Sequence, residues 1–285
     1  MTTSTPLGRP YAEVIGDPIA HSKSPLIHNF WLGKLGIDAE YRACHVRPEE
    51  LADYFAQRRG DAEWRGCNVT VPHKETATHY VDSLLPGYQD IGAINLVVSR
   101  NGALYGGNTD LDGVIGPINQ FHDAIFDFNK VPSRKVGIIG AGGAARAAVA
   151  ALKAAGWVSE WRIAVRRPDR GQALLTAFGI DGKVAQITDQ DFAGLDILIN
   201  ASSMGMGETG ESPLLLDRLG ERALLFDMVY SPLETGLIRA ARRQGHTVIG
   251  GLEMLVGQAG SAFHHFFGQP APRGHDAELR ALLTA

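Results

Sequence analysis

Only two cysteines, Cys44 and Cys67, occur in 285 residues. They show no metal-ligand spacing, so reduced thiols in a cytoplasmic setting and no metal are expected. No Lys/Arg run is present and the net charge is −4, which argues against nucleic acid as a partner. No run of about 18 apolar residues exists, so no membrane span is expected. Met1 to Pro10 is polar and lacks an apolar core segment, so no signal peptide is expected. Internal repeats and low-complexity segments are also missing. What remains is an ordinary globular composition, 45% hydrophobic and 20% charged, on a chain long enough for two domains. The 34 glycines cluster at strand ends, which suits an α/β protein with ligand loops.

The most informative stretch is Asn68-Val69-Thr70-Val71-Pro72-His73-Lys74-Glu75. Val69 and Val71 alternate with Asn68 and Thr70, the period of a strand. Pro72 stands where a first helical residue belongs. Lys74 is therefore expected in the first turn of a helix. There the positive end of the helix dipole lowers its hold on a proton, as proton transfer requires. A solvated lysine beside two edge polar residues is the plainer alternative.

Strands are expected at Tyr11–Gly16, Glu40–Val46 and Arg65–Val71, with helices from Ser24 to Gly36 and from Pro48 to Arg59. Ser24 would be the N-cap and Pro25 the first helical residue. Asn101-Gly102, between Ala93–Ser99 and Ala103–Gly107, is a hairpin signal. A helix follows from Leu111 to Phe126, then a linker at Asn129–Arg134. A second βαβ series begins at Lys135, with strands at Lys135–Ile139, Arg162–Arg166, Ile197–Asn200, Leu224–Met228 and Thr247–Ile249. An apolar helix runs from Leu252 to about Phe267. The fold class is α/β: a substrate domain with a mostly parallel sheet, plus a Rossmann dinucleotide-binding domain. The substrate domain spans residues 1–113, joined by the helices of 252–285; the Rossmann domain spans 114–251. The two are expected to flank a cleft.

Val136-Gly137-Ile138-Ile139 runs directly into Gly140-Ala141-Gly142-Gly143-Ala144-Ala145-Arg146. Gly140, Gly142 and Ala145 fit G-x-G-x-x-G/A between a strand and a helix. The glycines permit the tight turn and the approach of backbone to a pyrophosphate, which the helix N-terminus then holds. The next strand ends in Arg166-Arg167-Pro168-Asp169-Arg170. Positive charge there suits the 2′-phosphate of NADP, while Asp169 leaves NAD use open.

Four blocks agree in order and spacing with one family: Gly16 to Pro25 with its Ser22-Lys23-Ser24-Pro25, Asn68 to Glu75, Gly107 to Asp110, and Gly140 to Arg146. With Asp227-Met228-Val229-Tyr230 and Gly251 to Gln258, they resemble the shikimate dehydrogenase family over nearly the whole chain. The resemblance implies reversible NADP-linked interconversion of 3-dehydroshikimate and shikimate, a step of aromatic amino-acid synthesis. It implies that Ser22 and Ser24 bind the substrate carboxylate and that Asn68, Thr70, Asn95 and Gln258 hold its hydroxyls, with Tyr230 also reaching it. Lys74 and Asp110 would be the catalytic pair. Gly140, Gly142, Gly143, Ala144, Arg146, Arg166 and Arg167 would line the cofactor, and Met228, Gly251 and Met254 would border the nicotinamide. Gln258 stands out in its own right, because burying its amide without partners would cost about 1–3 kcal/mol.

Three positions depart from the family pattern: Arg166-Arg167-Pro168 for Asn-Arg-Thr, Leu111-Asp112 where glycine usually follows Asp110, and Leu96 for threonine. They leave room for a quinate/shikimate paralogue of different substrate or cofactor preference. A non-catalytic ligand-binding protein is the reading from another class, and the presence of both Lys74 and Asp110 argues against it. The oligomeric state is not readable from the chain; a homodimer is compatible with it.

Overall fold

In the first third of the chain, β1 (Tyr11–Gly16) is buried along its whole length, as the central strand of a covered parallel sheet must be. The computed structural model describes residues 8–125, 133–189, 192–208 and 210–285. After β1 come α1 (Ser24–Leu35), β2 (Glu40–His45), α2 (Leu51–Arg59), β3 (Trp64–Val69), and the strands β4 (Ser83–Leu84), β5 (Leu96–Arg100) and β6 (Ala103–Gly107). The sheet order is β2-β1-β3-β5-β6-β4. β1 lies parallel to both β2 and β3, while β5 runs antiparallel to β3 and β6. Asn101 (φ 52°) and Gly102 (φ 78°) both take left-handed conformations at the β5–β6 turn, the geometry Asn-Gly favours in a two-residue hairpin.

Two local expectations are corrected. α1 begins at Ser24 with Lys23 in the capping position. Ser24 is thus the first helical residue, and its N–H donates to Ser22 Oγ at 3.3 Å. Ser22, not Ser24, does the work of a cap. Nor does Pro72 open a helix. The chain leaves β3 at Val69 and turns through Val71–Glu75, and only a short 3-10 helix follows, at Thr76–Tyr80. His73 N–H donates to Thr70 O at 2.9 Å, closing a turn. Lys74 stands in the turn before that short helix and not in the first turn of an α-helix.

The same sheet buries one carboxylate. Glu13 is 1% exposed. It accepts from Arg58 at 2.8 and 3.1 Å, from Arg42 Nε at 3.1 Å and from the Tyr54 hydroxyl at 2.8 Å. Arg42 pairs with Glu13 in the β1–β2 register, and Arg58 reaches in from α2. Bonding to Glu13 pushes the Arg58 guanidinium still further toward its protonated form. Removing the carboxylate leaves two part-exposed arginines without their shared partner. Glu13→Ala is therefore expected to destabilise by about 3 kcal/mol, the low end for breaking a buried ion pair because both guanidinium groups reach solvent. Urea denaturation would measure this, and a change under about 1 kcal/mol would contradict it.

The second part of the chain carries α3 (Asp110–Ile125), β7 (Arg134–Ile139), α4 (Gly143–Ala155), β8 (Val158–Val165), α5 (Pro168–Phe178), β9 (Gly182–Gln186), β10 (Ile197–Asn200), β11 (Leu224–Asp227), α6 (Gly236–Arg243), β12 (Thr247–Ile249) and α7 (Gly251–Phe267); α8 (Asp276–Thr284) closes the chain. Its sheet, β12-β11-β10-β7-β8-β9, is parallel throughout. Read from β9, this is the doubly wound order 3-2-1-4-5-6, whose strand order reverses between β7 and β10. Ile138, Ile199 and Phe226 face a core shared with Ala148, Leu152 and Val114, while Ile139, Leu198 and Leu225 face another with Leu237 and Ile238. Alternate residues of each strand thus fill opposite layers.

The chain divides into two compact units, Met1–Thr109 with Gln258–Ala285, and Asp110–Gly257. The division falls at Asp110 rather than Gly113 because α3 starts there, and its Val114 and Ile118 pack into the core of the second unit. It returns at Gln258 rather than residue 252 because Met254 packs into that core while Ala262 and Phe266 pack against β1. The expected linker, Asn129–Arg134, lies outside the described residues up to residue 132, and Arg134 already opens β7. The N-terminal segment judged for a signal peptide lies outside them up to residue 7. Among the described residues, no helix is long and apolar enough to cross a membrane.

Candidate active site

Within the first unit, the ends of β3 and β5 bring together the amides singled out from the sequence. Asn95 is 3% exposed. Its Oδ1 accepts from Thr109 N–H at 2.7 Å, and its Nδ2 donates to Thr109 Oγ1 at 3.1 Å and toward Gln258 Oε1 at 3.5 Å. The same Gln258 oxygen lies 3.5 Å from Thr109 Oγ1. Asn68, also buried, donates from Nδ2 to Asn95 O at 3.1 Å, and its Oδ1 accepts from the Tyr41 hydroxyl at 2.6 Å. Gln258 thus has the polar neighbours that its place in an apolar helix demanded. Thr70 follows β3 and donates its backbone N–H to Ile15 O at 2.9 Å. Ser22 and Ser24 stand together at the start of α1.

Lys74 is half-buried in the turn after β3. Two anchors flank its side chain: its own carbonyl accepts from Ile94 N–H at 2.8 Å, and the neighbouring His73 ring meets Val46 O at 2.7 Å through Nε2. His73 is 1% exposed, and that bond makes it part of the scaffold. The loop is thus tied to the segment after β2 and to the entry of β5.

In the second unit, Gly140 follows β7 with φ +109°. A Cβ there would stand 2.8 Å from Ala201 O, closer than side-chain carbon approaches backbone oxygen. Gly142 caps α4 in extended conformation with open space around its Cβ position. Gly143 and Ala144 form the first turn and Ala145 is fully buried. This is a loop that leaves room for a pyrophosphate above a helix N-terminus. Arg146 lies 5.5 Å from the Phe178 ring centroid, a cation–π distance. Arg166 and Arg167 are exposed after β8, and Arg167 bridges Asp169 at 2.7 Å. Gly140→Ala, in a conformation hostile to L side chains, is expected to weaken nucleotide binding at least about tenfold and to lower Tm. Nucleotide quenching of tryptophan fluorescence would read the first effect, and unchanged affinity would reject the assignment of this loop.

Asp110, 4% exposed, opens α3. Met228 follows β11, and Gly251 opens α7, where a Cβ would lie 2.5 Å from Met228 O. Met254 packs into the core of this unit. Burial raises the Tyr230 phenol above its ordinary range, so it remains a protonated donor. Asp227, unexposed, ties the β10 and β11 ends together. It accepts from Asn200 Nδ2 at 2.9 Å, Val229 N–H at 3.1 Å and Thr235 Oγ1 at 2.6 Å. Sequence reasoning gave no roles to Thr109, Tyr41, Asn200 or Thr235. Thr109 had a signal, its place between Asn108 and Asp110 in a quoted block; Tyr41 had none.

A family model for the substrate-binding domain of shikimate dehydrogenase matches residues 14–97. The shikimate dehydrogenase (NADP(+)) of Sphingopyxis alaskensis is 47% identical over 99% of this chain and 100% of its own length. The crystal structure of shikimate 5-dehydrogenase from Thermus thermophilus, in complex with NADP(H) and shikimate, is 32% identical with a TM-score of 0.83, covering 96% of this chain and 99% of that one. The Listeria monocytogenes enzyme, in complex with shikimate and NAD, is 29% identical with a TM-score of 0.81 over 97% and 99%. Likeness of this extent, running through both units, places the chain in the shikimate dehydrogenase family.

Proposed function

We propose that the protein catalyses the reversible, NADP-linked interconversion of 3-dehydroshikimate and shikimate in aromatic amino-acid biosynthesis. The observation that carries this is the mutually bonded cluster of Asn68, Asn95, Thr109 and Gln258 beside the turn bearing Lys74. A ring carrying several hydroxyls needs several amide and hydroxyl groups that both donate and accept, and they are grouped here. Ser22 and Ser24, at the start of α1, suit a carboxylate, since a helix N-terminus favours an anion.

The second unit fits the dinucleotide: Gly140 and Gly142 keep the loop free of side-chain atoms, and Arg166 and Arg167 stand where a 2′-phosphate would be recognised. When bound, the nicotinamide supplies or accepts the hydride. Lys74 holds the proton that goes to the carbonyl oxygen as that oxygen gains negative charge, and its ammonium stabilises that charge. Asp110, the other member of the catalytic pair that the resemblance implies, opens α3. In the oxidative direction Lys74 receives the hydroxyl proton. Cytoplasmic residence belongs to the same proposal and is supported by Cys44 and Cys67 standing as free thiols.

The test crosses shikimate and quinate with NADP⁺ and NAD⁺ and follows the absorbance of the reduced nicotinamide. Turnover of shikimate with NADP⁺ well above the other three combinations supports the proposal; faster quinate turnover rejects it. A second reading, with appreciable NAD use, rests on Asp169, whose carboxylate bridges Arg167 and competes with a 2′-phosphate for it. Arg167→Ala is expected to raise KM for NADP⁺ about tenfold and leave that for NAD⁺ nearly unchanged. Equal effects on both would remove Arg167 from 2′-phosphate recognition.

A further inference from the structure

Asn68 is held by a residue remote from it in sequence. Tyr41 is 1% exposed, and its hydroxyl donates to Asn68 Oδ1 at 2.6 Å. Asn68 Nδ2 donates to Asn95 O at 3.1 Å. A carbonyl oxygen on one side and a hydroxyl hydrogen on the other fix which end of the amide is oxygen and which is nitrogen. One N–H and one oxygen lone pair remain for a ligand.

Tyr41 is in turn gripped by two consecutive residues of α1. Asn29 Nδ2 donates to Tyr41 O at 2.6 Å, and Tyr41 N–H donates to Asn29 Oδ1 at 2.9 Å. The His28 ring stacks on the Tyr41 ring with centroids 4.0 Å apart and planes 4° apart. Among the described residues the His28 nitrogens have no hydrogen-bond partner, so they do not draw the Tyr41 hydroxyl away. Burial keeps that hydroxyl protonated. The helix that begins with Ser24 thus also holds the tyrosine that sets Asn68.

We propose that Tyr41 is a positioning residue for the substrate: through its hydroxyl it fixes the amide of Asn68, and through His28 and Asn29 it ties that amide to the helix whose first residue is Ser24. This rests on the function proposed above. Tyr41 touches no substrate; it acts by denying Asn68 the wrong rotamer. A residue that only orients a ground-state contact changes KM and leaves kcat nearly alone.

The experiment measures shikimate oxidation with NADP⁺ for the wild type, Tyr41→Phe, Asn68→Ala and the double variant, well below each Tm. Tyr41→Phe keeps the ring and its stack and removes only the hydroxyl. It is expected to raise KM for shikimate about fivefold, leave kcat within about twofold and leave KM for NADP⁺ unchanged. In the Asn68→Ala background it should change KM no further, because the residue it acts through is gone. Asn29→Ala, which frees the Tyr41 main chain but spares the hydroxyl, should shift KM the same way by a smaller factor. A lowered Tm with unchanged KM, or an equal KM rise in both backgrounds, overturns the proposal. A wild type that fails to oxidise shikimate overturns the functional reading, and this inference with it; an active wild type beside an unaffected Tyr41→Phe overturns the inference alone.

Discussion

Lys74→Ala is expected to lower kcat for shikimate oxidation by at least about a thousandfold, with KM for shikimate changed by less than about tenfold. The size follows from what is removed. A positioned proton donor contributes about 10²–10⁴ in rate, and a preorganised charge at a developing oxyanion contributes about 10²–10³ more where water is excluded. On the proposed mechanism the lysine supplies both, and because the effects overlap the expected loss lies below their product, at about a thousandfold or more. KM is spared on the proposed reading, in which the mutually bonded Asn68, Asn95 and Gln258 hold the rest of the ring. Retention of kcat within about tenfold would remove Lys74 from the chemistry.

Lys74→Arg separates the two contributions. It keeps the positive charge but is a poor proton donor near neutrality, and its planar fork does not reproduce an ammonium on this turn. It should recover no more than a small part of the loss. The anchors His73–Val46 and Lys74–Ile94 place the turn independently of the Lys74 side chain, so neither variant should lower Tm much.

How much of this could be read from the residues depended on how local the determinant was. The glycine loop, the Asn101-Gly102 hairpin and the β10 and β12 strands follow from short-range chemistry, and their sequences carry it. β4 and β9 were missed because both are edge strands. β4 has two residues and exists only because β6 lies beside it, and the Gly-Lys-Val-Ala-Gln of β9 is too exposed to alternate. The helix placed under Lys74 failed for a related reason. A strand, a proline and a polar run look the same before a turn as before a helix, and the deciding bond, His73 to Val46, spans 27 residues. Of the groups named from the family resemblance, Asn68 and Asn95 stand at β-strand ends, Gln258 lies within α7, and the two serines stand at the start of α1. The groups that hold them stayed hidden: Tyr41 is 27 residues from Asn68, and Glu13 finds its arginines 29 and 45 residues away.

His28→Phe is expected to make the protein markedly less sensitive to acid. The His28 ring is unexposed, stacked on Tyr41 and edge-on to Trp31 at 5.8 Å. Burial pushes its pKa down to about 3, whereas in the unfolded chain it titrates near 6.5. Between those values the unfolded state binds a proton that the folded state refuses, so stability falls as pH falls through this window. About two pH units at roughly 1.36 kcal/mol each give a loss of about 2.7 kcal/mol at about pH 4.5. Asp227, whose carboxyl is raised by burial, works the other way just above the ordinary carboxylate range, but equally in both proteins. Phenylalanine keeps the stack, takes no proton and leaves no ring nitrogen unbonded. Urea midpoints followed by tryptophan fluorescence at about pH 7 and about pH 4.5 should therefore show a smaller acid loss in the variant by about 2–3 kcal/mol. Equal losses would mean that the ring admits a proton while folded. It would then be charged against the Tyr41 ring it stacks upon, and the packing that holds Tyr41 over Asn68 would loosen in the same pH range.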